Sequence, residues 1–172
     1  MAISQSLLTA KSVSYRETIH ESMLKSASAG RVRSAFLCHS HRDETIVKGL
    51  IALFQENGVD LYIDWKDHTM PETPNAETAR KIQDAINGRE LFLFLATANS
   101  KASRWCPWEI GYADSSKRRV YIIPTVDNSG TYGNEYLELY PKIDEGSRGT
   151  QKGLAKFGAG RREGEWLSAT NL

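Results

Sequence analysis

The stretch Leu91-Phe92-Leu93-Phe94-Leu95-Ala96-Thr97 is apolar at nearly every position, where a strand with one wet face would alternate apolar and polar residues. It is read as the central strand of a parallel sheet covered on both sides. Three further apolar runs, 32–38, 59–63 and 120–126, share its character, and the segments between them are long enough for helical crossovers. Four strands alternating with helices predict an α/β fold with a parallel sheet.

The crossovers carry their own signals. Ser40-His41-Arg42-Asp43 has the form of a capping box, Ile46, Val47, Leu50, Ile51, Leu53 and Phe54 follow at helical spacing, and Asn57-Gly58 ends the run. The segment 64–72, Asp64-Trp65-Lys66-Asp67-His68-Thr69-Met70-Pro71-Glu72, has no apolar period and is expected to be a loop of the long, ordered, functional kind. Thr73-Pro74 then opens a helix that stops at Asn87-Gly88.

The ends are less regular. Residues 14–28 hold Ser14-x-x-Glu17 and the helically spaced Tyr15, Ile19 and Met23, so one amphipathic helix is expected there, either capping the domain or binding another copy. Beyond 126 the periodicity fades. A helical turn at 136–140 and a short edge strand at 165–168 are expected within mostly irregular structure, because 146–164 contains six of the 13 glycines. The division expected is an N-terminal helical extension, 1–30, ahead of a domain spanning 31–172. There are no internal repeats.

With 172 residues, 40% of them hydrophobic, the chain can bury the core of one domain. Its 22 basic and 21 acidic side chains leave a formal charge of +1, so neither nucleic acid nor an anionic membrane is expected as a partner. Cys38 and Cys106 sit in apolar surroundings without metal-like spacing, which suits a reducing compartment and argues against a nucleophile. No apolar stretch approaches the roughly 20 residues needed to cross a bilayer. A cytoplasmic protein is expected.

One residue breaks the apolar pattern. In Ser103-Arg104-Trp105-Cys106-Pro107-Trp108-Glu109-Ile110-Gly111-Tyr112, helical spacing sets Glu109 on a stripe with Trp105, Trp108 and Tyr112. Burying a lone carboxylate costs several kcal/mol unless it is paired or hydrogen-bonded, so Glu109 is either a hidden structural acceptor or the working group of a site. Ligands of open parallel sheets bind beyond the carboxyl ends of the strands, near the point where strand order reverses. That rule gathers Cys38, His39, Ser40, His41, Arg42 and Asp43 after the first strand, Asp64, Trp65 and Lys66 after the second, Thr97, Ala98, Asn99 and Ser100 after the third, and the Trp105/Glu109 face. An acid, two indoles and two cations would share one cleft.

Other chemistries fit these residues less well. His39, His41 and His68 lack a third ligand at a defined spacing, so no metal is expected. No Gly-x-Ser-x-Gly elbow and no phosphate-binding loop ending in Gly-Lys-Ser/Thr is present. Gly158-Ala159-Gly160 follows no strand and opens no helix, so it is not a dinucleotide fingerprint.

Two segments carry a family resemblance. Ala35-Phe36-Leu37-Cys38-His39-Ser40-His41-Arg42-Asp43 resembles the first signature box of TIR (Toll/interleukin-1 receptor) domains, and Ser103-Arg104-Trp105-Cys106-Pro107-Trp108-Glu109-Ile110 resembles their Ser-x-Trp-Cys-x-x-Glu box. Order and spacing agree, and the resemblance covers roughly 31–140. It implies a flavodoxin-like three-layer fold with a central parallel sheet flanked by helices, and the small architecture resembles stand-alone bacterial TIR NADases of the Thoeris anti-phage type. The activity implied is cleavage of the nicotinamide–ribose bond of NAD+, giving ADP-ribose, a cyclic isomer or a base-exchange product, with NAD+ as substrate and no cofactor. Glu109 matches the family's catalytic glutamate, Trp105 would pack beside the ribose or nicotinamide, and His41 and Arg42 would meet the pyrophosphate near a helix N-terminus. The resemblance also places the loop 64–72 both over the cleft and at a neighbouring subunit, implying a homo-oligomer, and suggests a separate nucleotide-sensing effector downstream. Pro107 falls in the first turn of the catalytic helix, where proline is tolerated.

Three functional classes compete. The first is an NAD-consuming enzyme whose product signals. The second is a scaffold that only assembles with other TIR domains, and it has no need of an acid on that face. The third, an enzyme like the nucleoside deoxyribosyltransferases, shares the sheet and a glutamate but leaves the Trp-Cys box unexplained.

Overall fold

The computed structural model describes residues 2–30, 32–59, 61–65, 75–116, 119–168 and 170–172. In chain order they form β1 (Ile3–Ser4), α1 (Gln5–Lys11), α2 (Glu17–Ser28), β2 (Arg33–Cys38), α3 (Glu44–Glu56), β3 (Leu61–Asp64), α4 (Ala76–Asn87), β4 (Leu91–Ala96), α5 (Ala98–Ala102), α6 (Cys106–Ser115), β5 (Arg119–Asp127), β6 (Gly130–Tyr132), β7 (Lys142–Arg148), β8 (Gln151–Phe157) and β9 (Gly164–Trp166). The sheet runs β3-β2-β4-β5-β7-β8-β9, with β1 and β6 both pairing onto β5. Within the run β3-β2-β4-β5-β7 each adjacent pair is parallel. Strand order reverses between β2 and β4, since β2 leads outward to β3 and the chain then crosses back to β4. The carboxyl ends of these two strands are therefore the ligand-binding position of the fold.

Alternate side chains of each inner strand enter opposite cores, as a doubly covered strand requires. Ala35, Leu37, Leu93, Leu95, Tyr121 and Ile123 face α3 through Val47, Leu50 and Phe54. Phe36, Cys38, Phe92, Phe94, Val120 and Ile122 face α4 through Ile82 and Ile86, and α6 through Cys106, Ile110 and Ala113. Strand β4 is buried along its whole length, in the central position expected of it.

The ends depart from the sequence expectation. Residues 1–30, expected to stand ahead of the domain as one helical extension, contribute β1, parallel to β5 through Ile3↔Thr125, and α1, whose Leu8 lies in the core with Ile3. Each of these two side chains contributes about 1.5–3 kcal/mol by burial. The expected apolar face of α2 is also different: His20 is its buried residue and Ile19 is exposed. At the other end, the segment expected to be irregular forms the antiparallel β7–β8 hairpin and the edge strand β9. Gly146 and Gly153 are places of close approach, because a Cβ on Gly146 would stand 3.2 Å and one on Gly153 3.6 Å from Cζ3 of Trp166, the two glycines facing each other across the hairpin. Helix α4 is capped by Asn75, whose Oδ1 accepts from the Thr78 N–H at 2.8 Å; the expected opening at Thr73-Pro74 lies outside the described residues.

Candidate active site

Helix α6 is started by Ser103, whose hydroxyl oxygen accepts from the backbone N–H of Trp105 at 3.2 Å and of Cys106 at 3.3 Å. This satisfies two N–H groups that a helix start leaves without an intrahelical partner. Pro107 then occupies the first turn without loss, having no N–H to satisfy. One turn on, Glu109 is 4% exposed and shares the inward face of α6 with Cys106, Ile110 and Ala113. Of the expected stripe, Trp105 and Tyr112 are partly buried against the same core and Trp108 is exposed, with Trp105 edge-on to Trp108 at 5.7 Å and Trp108 stacked on Tyr112 at 5.9 Å.

Glu109 meets the carboxyl end of β2. The Sγ atoms of Cys38 and Cys106 and a Glu109 carboxylate oxygen all lie within 4.8 Å of one another. Burial, partly offset by a hydrogen bond with the Cys38 thiol, raises the Glu109 carboxyl from 4.5 to about 7. No cation among the described residues contributes to that balance. Burial also pushes the Cys38 thiol well up, helped by Cys106 and Glu109, so it keeps its proton at neutral pH and is neither nucleophile nor ready ligand. Two thiols and a carboxylate are the donor types of a zinc site, but ligation needs thiolate, which this burial opposes. Tyr136 packs over the same region: its ring is edge-on to Phe94 at 5.3 Å, and its hydroxyl, raised first by burial, is raised further by Glu135, Cys38 and Cys106.

The remaining expected residues divide. Ser40 caps the short 3-10 turn His41–Asp43, accepting from the Arg42 N–H at 3.4 Å, and His41 and Arg42 are exposed at the end of β2. His39 and Trp65 belong to the other side of the sheet. The His39 Nδ1 pairs with the Leu37 carbonyl at 2.9 Å, and burial lowers its pKa. Its ring lies edge-on to Trp65 at 6.4 Å. Trp65 is part of the α3-side core with Tyr15 packed beside it, so it does not share a face with Glu109. Asp64 ends β3, whereas Lys66 and the rest of the expected loop lie outside the described residues.

Thr97 is a structural residue rather than a free ligand. It forms a capping box with Ser100 at the start of α5, and its hydroxyl donates to Asp43 Oδ2 at 2.6 Å. Asn99 Nδ2 donates to Asp43 Oδ1 at 2.6 Å. Asp43, 2% exposed, thus ties the loop after β2 to the loop after β4, across the point where strand order reverses. Sequence reading gathered Cys38, Asp43 and Asn99 at the strand ends without assigning partners among them, and it passed over Tyr136. Charge next to a helix start is ambiguous from sequence, and a cysteine in an apolar run carries no signal of the acid it faces.

A family model described as TIR domain matches residues 35–151. A Bacillus cereus (strain MSX-D12) protein named as a 3' cyclic ADP-D-ribose synthase, ThsB', is 32% identical over 136 residues, 76% of this chain and 70% of its own. A Cytobacillus dafuensis protein named as a cyclic ADP-D-ribose synthase, TIR2, is 24% identical over 102 residues, 58% of this chain and 27% of its own.

Proposed function

The chain belongs to the TIR domain family, and from that premise we propose that it cleaves the nicotinamide–ribose bond of NAD+ and releases nicotinamide with a cyclic ADP-ribose. The observation that carries this reading is the buried Glu109 carboxyl, raised to about 7 at the carboxyl end of β2 with no cationic partner among the described residues. As nicotinamide departs, the ribose becomes oxocarbenium-like. A carboxylate waiting in a water-poor site stabilises that charge and repays part of its own desolvation in the transition state. Capture of the ribosyl cation by a hydroxyl of the same molecule gives the cyclic product, and capture by water gives ADP-ribose. Both relatives carry the name of a cyclic ADP-D-ribose synthase, which favours the intramolecular route.

Exposed His41 and Arg42 stand where the pyrophosphate would approach the start of the His41–Asp43 turn and α3. Trp105, at the N-terminus of α6, would flank the ribose. The protein would act in the cytoplasm of a bacterium, self-associate through TIR–TIR contacts, and pass its product to a separate nucleotide-sensing effector in anti-phage immunity. A scaffold without catalysis has no use for a buried acid with no cationic partner among the described residues.

Incubation with NAD+ and chromatographic separation of products tests the reading. Nicotinamide released in equal amount with a cyclic ADP-ribose supports it, and intact NAD+ over a wide range of protein concentration contradicts it. Specific activity that stays constant on dilution to a monomer removes the self-association requirement.

A further inference from the structure

Asp43 ends the turn His41–Asp43 and stands at the N-cap of α3, yet its side chain makes no capping hydrogen bond to that helix among the described residues. An aspartate in this position ordinarily accepts from the second or third N–H of its own helix. The Asp43 carboxylate, 2% exposed, instead takes both of its side-chain donors from the far side of the point where strand order reverses, the Thr97 hydroxyl at 2.6 Å and the Asn99 Nδ2 at 2.6 Å. From this placement we infer that Asp43 is a positioning residue, a clasp that fixes the spacing between the turn bearing His41 and Arg42 and the arm bearing Trp105 and Glu109. The inference rests on the reading of Glu109 as the catalytic carboxylate and of that turn as the pyrophosphate contact.

Both arms are short beyond the clasp. On one side His41 and Arg42 directly precede Asp43, whose N–H donates to the Ser40 carbonyl at 2.8 Å, so the turn moves with the carboxylate. On the other side Thr97 caps α5 and Asn99 lies in its first turn. Ser103 follows α5 directly and accepts from the N–H groups of Trp105 and Cys106 at the start of α6. NAD+ would touch both arms at once, with its pyrophosphate on one and its ribose on the other. A misplacement of about 1 Å arising away from the chemistry can cost about a hundredfold in rate, so a buried carboxylate shared between the arms has a kinetic consequence. The alternative is that Asp43 only stabilises the fold, as hydrogen-bonded buried groups do.

Asn99→Ala removes one donor at a half-buried position and separates the two roles. At a temperature where circular dichroism shows the variant fully folded, its kcat/KM for NAD+ should fall at least about tenfold. In a protein that also carries His41→Ala and Arg42→Ala, the further loss from Asn99→Ala should shrink to about threefold or less, because no pyrophosphate contact is left to space. Three results overturn the inference: wild-type kcat/KM in folded Asn99→Ala, the same fold-loss in both backgrounds, or wild-type kcat/KM in the protein lacking the His41 and Arg42 side chains. If Asn99→Ala does not fold, Thr97→Val takes its place in the same comparison and decides alone. Amide hydrogen exchange reads the clasp without catalysis: Asn99→Ala should speed exchange in both 41–43 and 103–109, and unchanged exchange in both overturns the inference. NAD+ cleavage that Asn99→Ala leaves unaltered removes the clasp and keeps the catalytic reading. Faster exchange in both arms of a protein that cleaves nothing removes the catalytic reading and keeps the clasp.

Discussion

Gly49 and Leu8 are in contact through their main chains: a Cβ built on Gly49 would stand 1.8 Å from the Leu8 carbonyl oxygen. Glycine in mid-helix costs about 1 kcal/mol relative to alanine, yet here α1 can lie against α3 only because no side chain intervenes. Gly49→Ala should therefore destabilise the fold by about 1–3 kcal/mol despite its better helix propensity. Urea unfolding should show a lower midpoint with an unchanged slope. A higher midpoint would mean that α1 does not cross α3 as described.

The Asp43–Thr97 bond gives a second test. Thr97→Val keeps the side-chain shape but deprives a buried carboxylate of one of its two side-chain donors, and should cost about 1.5–3 kcal/mol. Thr97→Ser retains the hydroxyl and should melt close to wild type. Equal melting of the valine and serine variants would show that the hydroxyl bond to Asp43 contributes nothing measurable.

Stability should depend on pH through Glu109. Its folded-state pKa of about 7 lies above the ordinary 4.5 that it regains on unfolding, so between those values the folded protein holds a proton that the unfolded chain has released. Stability is then greatest below pH 4.5 as far as this group is concerned, falls as pH rises to about 7, and is level above. The total loss is about 3 kcal/mol. Glu109→Gln removes the titration and should exceed wild type by about that amount at pH 8, with the difference gone near pH 4. Parallel stability curves for the two proteins across this range would show that the group is not raised.

The strands of the inner sheet were legible because burial on both faces leaves uninterrupted apolar runs, of which 91–97 is the clearest. Strand β1 has two residues, Ile3 and Ser4, too few to show a period, and its partner Thr125 is remote in sequence. The β7–β8 hairpin was hidden by Gly146 and Gly153, which read as flexibility but make room for the Trp166 ring. Glu109 stood out as an acid among aromatic residues, and it is buried together with Cys106, Ile110 and Ala113 of the same helix. Trp65 was misplaced because the strand-end rule selects a position along the sheet and not a face of it. The face is set by alternation, and His39 and Trp65 lie on the α3 side while Cys38 points to α6.

The most direct measurement compares NAD+ cleavage by wild type and Glu109→Gln at pH 8, where the wild-type carboxyl is mostly ionised. The amide keeps the volume and much of the hydrogen bonding but not the charge, so a folded variant should lose at least about a hundredfold in turnover, equivalent to about 3 kcal/mol of transition-state stabilisation. Nicotinamide release by a folded Glu109→Gln protein at the wild-type rate would contradict the assignment of Glu109 as the group that carries the reaction.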